Sequence, residues 1–151
     1  MCKISDWLRT VSCGICHQLS GSESIIIPTG TMDLNLMSSI LLDKLDEMHD
    51  SKAAIYLPDK DCKIYDKDEV QAFLNLDEVD KIPYIPEERD CDDFAAELFG
   101  KFAGLVWTNV HALNWFIDSN ETFWFIEPQQ DKIAKNLENW EGYDIKFFIG
   151  R

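Results

Sequence analysis

A chain of 151 residues is one domain's worth of sequence and long enough to bury a core. Hydrophobic residues make up 46% of it, with five Trp, nine Phe and four Tyr, which excludes a disordered acidic tail. The formal charge is −14, and residues 43–93 hold 17 acids against 7 bases, which excludes a sequence-independent grip on nucleic-acid phosphates, because that needs clustered Lys and Arg.

The opening MCKISDWLRTVSCGIC carries two early bases but no unbroken apolar run, so no signal peptide is expected. No window approaches the ~20 apolar residues of a membrane span. The expected location is the cytoplasm, with Cys2, Cys13, Cys16, Cys62 and Cys91 as reduced thiols. Residues 1–20 have some helical character. SIIIPTG (24–30) is expected to be a strand or buried extended piece closed by a turn. In the next twenty residues Leu34, Met37, Leu41, Leu45 and Met48 recur at spacings of 3, 4, 4 and 3, one apolar face of a helix. AAIYLPD (53–59) reads as a strand stopped by Pro58, and KIYD (63–66) as another. Asp66 with Glu69 resembles a capping box, opening a helix with Val70, Phe73 and Leu74 inward. Residues 80–89 carry two prolines and are expected to be an extended connection.

RDCDDFAAELFG (89–100) comes next. Asp90 is a good N-cap, and Asp93 stands where a capping-box acid would. Phe94, Leu98 and Phe102 share one face, and Gly104 can end the helix. LVWTNVHALNWFID and TFWFIEP, rich in β-branched and aromatic residues, read as a hairpin around Asp118-Ser119-Asn120. Residues 132–142 read as a short helix and 143–150 as a last strand. The predicted class is α+β.

The residues that could carry chemistry fall into a few groups. CGICH (13–17) has the spacing of a haem attachment or a zinc half-site. Haem attachment generally needs export, zinc needs four ligands, and Cys62 and Cys91 are not spaced as a second half. No metal and no cofactor is therefore expected. Cys91 lies at a helix N-terminus, where unpaired N–H groups favour a thiolate, though Asp90, Asp92 and Asp93 oppose it. Such a thiol needs a cationic partner, and His111 lies in a structured apolar stretch. Glu127 is a carboxylate at an aromatic strand end, costly to bury without a partner. A three-residue loop, with Asn120 in the left-handed conformation, sets Ile117 against Glu121 and His111 against Glu127. That pair would complete a Cys–His–acid triad. Asn114 has the opposite parity, so it is the weaker choice of orienter. Gln71 and Asn114 are oxyanion-hole candidates on residue type. Trp107, Trp115 and Trp124 are candidates for a substrate groove.

RDCDDFA, HALNWFID and FWFIEPQ, in that order, resemble the core of the transglutaminase-like cysteine proteinase superfamily, over roughly residues 84–131. The resemblance implies a papain-like (transglutaminase-like) core over 84–150, with N-terminal helices as an extension over 1–80 and a helix packed on a small antiparallel sheet. It implies that Cys91 attacks a protein or peptide amide, His111 moves the proton and Glu127 orients the imidazole. The expectation is a cysteine hydrolase (peptidase or amidase), the small size suggesting a phage-encoded one. The alternative is a non-catalytic acidic binding protein that meets a basic host partner or inhibits a host factor.

Overall fold

The computed structural model describes residues 25–49, 52–137 and 143–151. Cys13, Cys16 and His17 lie outside them. Helix α1 (Leu34–Glu47) starts where Asp33 caps it, the carboxylate accepting from the Asn35 N–H at 2.8 Å. Its periodic face is the buried one, through Met37, Leu41 and Leu45. Helix α2 (Lys67–Leu76) is capped by Asp66, which accepts from the Asp68 and Glu69 amides, and buries Val70, Phe73 and Leu74. Helix α3 (Cys91–Lys101) has a reciprocal capping box between Asp90 and Asp93 and buries Phe94 and Leu98. All three helices begin at a local signal that the sequence displays.

The strands depend on distant partners. β1 (Gly30–Asp33) and β3 (Asp61–Ile64) form a separate antiparallel ribbon. The main sheet holds β2 (Ala54–Tyr56), β4 (Gly104–Thr108), β5 (Ala112–Ile117), β6 (Phe123–Glu127), β7 (Lys132–Ala134) and β8 (Ile145–Ile149), in the order β2-β8-β4-β5-β6-β7. Every pairing is antiparallel except β2 with β8. β5 lies inside this sheet and every one of its residues is buried. Leu113, Trp115 and Ile117 join the core shared with α1, while Phe116 joins the core beneath α2 and α3. Each large apolar side chain so buried contributes roughly 1.5–3 kcal/mol.

This architecture corrects several expectations. The papain-like plan of N-terminal helices beside a small antiparallel sheet is replaced by a six-stranded mixed sheet covered on both faces, to which the N-terminal half supplies β2, besides forming the separate β1–β3 ribbon. Residues 25–29 are not a strand: Ile25 and Ile27 are 83% and 74% exposed, and β1 starts only at Gly30. Val79–Lys81 is a single 3-10 turn rather than extended chain. Helix α3 ends at Lys101, and Gly104 already belongs to β4. LVWTNVHALNWFID is two strands, β4 and β5, around a tight turn. Lys132–Ala134 is strand β7 instead of the start of a helix; residues 138–142 lie outside the described set.

The β5–β6 loop also differs. Ile117 pairs with Phe123, not Glu121. Asp118 accounts for the longer loop: its carboxylate accepts from the Asn120 and Thr122 amides and from the Trp124 indole N–H. Glu121, at φ 61, takes the left-handed position expected of Asn120. The register slips by two residues, and a slip of two preserves which face each side chain points to.

Candidate functional site

His111 is held by the turn that precedes β5. The Thr108 hydroxyl accepts from the His111 amide and donates to the His111 carbonyl, both at 2.8 Å. Asn109 ties the same turn to Asp144 by two backbone-anchored bonds of 2.9 Å. Because parity survives the register slip, Glu127 reaches His111 diagonally across the β5–β6 pair. His111 Nε2 lies 2.7 Å from Glu127 Oε2, with the two side chains 18% and 22% exposed. The second carboxylate oxygen accepts from the Gln129 amide at 3.3 Å, which fixes the plane of the group.

A cavity of about 220 Å³ opens beside this pair, on the α1 face of the sheet. Leu113 and Phe125 supply its buried apolar surface, and Gln130, Lys132, Asn136 and Tyr143 bring polar atoms. The Tyr143 ring is 6.4 Å from the His111 ring at 55°. Asn136 is oriented from below by Lys44, a cation only 7% exposed, whose Nζ donates to Asn136 Oδ1 at 2.7 Å. With its oxygen engaged, the Asn136 amide nitrogen remains as a donor pair for the cavity.

Cys91 does not line this cavity. Its sulfur shares no hydrogen bond with His111; its polar neighbour is the Ala112 amide, one residue along the chain. Burial pushes the Cys91 thiol up, the Asp90 and Asp92 charges push it further, and the amide contacts oppose them. The structure thus brings together His111 and Glu127 and places Cys91 close to their strand end but outside their hydrogen-bonded pair. Asp90, Cys91 and Asp92 do cluster, but as capping and flanking groups of α3.

The auxiliary candidates have other duties. Asn114 is fully buried and donates to the Ala95 and Gly104 carbonyls, clamping α3 onto β4. Gln71 donates to Asn75 and to the Asp131 carbonyl. Neither is an oxyanion donor for Cys91. Trp115 is core, Trp107 stacks on Phe147, and Trp124 bonds Asp118 beneath Lys67 and Lys135. None of the three walls a groove at His111. The sequence reading missed Gln130, Lys132, Asn136 and Tyr143. Period-2 alternation through Glu127 and Lys132–Ala134 carries a signal for part of this set, legible once β7 is recognised as a strand.

No protein-family model matches the chain, and no curated protein sequence matches it. Solved structures do. A chain described as the PSL1a–E64 complex is 22% identical, with a TM-score of 0.65, and the match covers 79% of this chain and 50% of that one. Polyporus squamosus lectin, bound to the epitope Neu5Acα2-6Galβ1-4GlcNAc, is also 22% identical, with a TM-score of 0.63, covering 79% and 49%. The chain therefore spans about half the length of these neighbours. At this identity the likeness is one of fold. It corrects the transglutaminase-like resemblance: the fold is similar to about half of each of these chains, and a papain-like core finds no support. The expectation of a phage-encoded cysteine hydrolase falls with it. Among the described residues, no helix is long and apolar enough to cross a membrane.

Proposed function

We propose that this protein binds carbohydrate, in the cavity between His111, Glu127 and Tyr143. The observation that carries the reading is the mixed lining of that cavity, a paired carboxylate and imidazole, two amide side chains and a tyrosine around buried Leu113 and Phe125. Sugar hydroxyls donate and accept at once, so they suit carboxylate and amide groups held in fixed planes. The C–H face of a pyranose suits an aromatic ring such as Tyr143. The saccharide seen on the lectin neighbour supports the same class of ligand. The test is saturation-transfer NMR with Neu5Acα2-6Galβ1-4GlcNAc and its component sugars, followed by titration. Glu127→Gln keeps the shape and removes the charge, and is expected to weaken binding by about tenfold to a hundredfold, the cost of one charge-assisted hydrogen bond. Asn136→Ala is expected to weaken it less. No transfer to any of these sugars would sink the reading.

A second reading treats Cys91, His111 and Glu127 as one contact set. The observation in its favour is the Ala112 amide directed at the Cys91 sulfur, one residue from His111. The E64 complex of PSL1a supports E64 as its probe. Intact-mass measurement after incubation with E64 is expected to give an adduct mapping to Cys91 and absent in Cys91→Ser. An unmodified protein, or equal labelling of the buried Cys62, would leave Cys91 a structural thiol.

A further inference from the structure

A second cavity, of about 430 Å³, lies on the same α1 face of the sheet and meets the first at Asn136, which lines both. One strand floors the two. Phe123, Phe125 and Glu127 alternate along β6, so they point to one side. Phe123 lines the second cavity, and Phe125 and Glu127 line the first. At about 3.3 Å per residue, the floor from Phe123 to Glu127 is about 13 Å long. β7 follows it: Lys132 pairs with Glu127 and Ala134 with Phe125, and both line the first cavity. Lys44 sits at the junction, 7% exposed. Its Nζ lies 5.8 Å from the Phe123 ring centroid and 5.7 Å from that of Phe125. It donates to Asn136 Oδ1 at 2.7 Å and to Glu47 at 3.0 Å. A cation so placed holds the side chain that the two cavities share.

We propose that the two cavities are adjoining subsites of one groove along β6, and that the groove takes a linear, neutral oligosaccharide. One part of the chain lies at His111 and Glu127, and the next passes Asn136 to lie at Phe123, Asp43 and Thr122. The inference rests on the carbohydrate reading above and extends it from a single sugar to a chain. The lining of the second cavity sets the ligand chemistry. Asp43 of α1 and Glu121 of the β5–β6 loop bring carboxylates, and Thr122 brings a hydroxyl. Carboxylates only accept, so they suit sugar hydroxyls as donors. The cations of this cavity are engaged elsewhere: Lys44 with Glu47 and Asn136, and Lys135 over the Trp124 ring, 5.2 Å from its centroid. A sulfated or carboxylated sugar would therefore meet like charge with no cation to spare.

The test titrates the full chain with Galβ1-4GlcNAc and with the linear tetrasaccharide of two such units, followed by amide NMR. The tetrasaccharide should bind about tenfold more tightly, the gain from one or two further net hydrogen bonds. It should also shift the amides of Thr122 and Phe123, which the disaccharide leaves in place. The same pair sulfated on every GlcNAc should show no gain with length. Asp43→Trp, at an exposed helix position, fills the second cavity and should bring the ratio of the two affinities to about one. If that variant fails to fold, the wild-type shifts at Thr122 and Phe123 decide. Equal affinities of the two neutral sugars, or a gain with length that leaves those amides unmoved, would overturn the extended groove and leave the carbohydrate reading standing. A protein that binds neither sugar would remove both.

Discussion

Asn114→Asp is expected to destabilise the protein by about 3–5 kcal/mol at neutral pH, the cost of an uncompensated buried charge. The side chain is fully buried, and its amide nitrogen donates to Ala95 O at 2.9 Å and Gly104 O at 3.0 Å. An isosteric carboxylate would set an acceptor against two acceptors. Burial would raise its pKa, so the variant is least damaged at low pH, where a neutral carboxyl can still donate one bond, and loses stability as pH rises. Urea midpoints across pH 4–8 would measure it. A variant as stable as wild type at pH 8 would mean that α3 is held to β4 without this clamp. Asn114 Oδ1 is itself buried without a partner among the described residues.

Gly104→Ala is expected to cost about 1–3 kcal/mol, the usual range for overpacking a filled core. Gly104 pairs directly with Trp115 across β4–β5, and a Cβ there would fall inside the indole, nearest Cε2 and Nε1. The indole has nowhere to go. It stacks on Phe123 at 5.8 Å, meets Phe148 edge-on at 5.9 Å and donates from Nε1 to the Leu105 carbonyl at 3.1 Å. The glycine is therefore required by space; its φ is not positive. In a Trp115→Leu background the added methyl has room, so the two costs should fail to add by about 1 kcal/mol or more. Additive costs in denaturant unfolding would place the strain elsewhere.

Local signals were legible and long-range pairings were not. Asp66 and Asp90 begin their helices because capping is decided within four residues. The same capping chemistry explains why RDCDDFA invites an enzymatic reading: aspartates at the N-cap and third position are what a helix start requires, whatever sits between them. His111 and Glu127 meet diagonally and not directly opposite each other, because parity survives the two-residue slip of the longer loop. The turn at 108–111 was missed for want of Gly or Pro; a threonine hydroxyl holds it instead. The cavity wall at Lys132–Ala134 was hidden because three residues are too few for a periodicity to declare itself.

The parallel pairing of β2 with β8 also sets an order of events during synthesis. β8 lies between β2 and β4, so Tyr56 cannot take its place in the sheet until residues 145–149 have emerged. At roughly 5–20 residues per second, that leaves the earlier strand waiting on the order of ten seconds. Over that interval Ile55, whose place is against the buried core, is without its partner strand. β8 is the interior strand that joins β2 to the rest of the sheet, and the nascent protein must stay soluble until it arrives. The acid-rich stretch at 43–93 surrounds β2, and its mutual repulsion is suited to keeping unfinished chains apart.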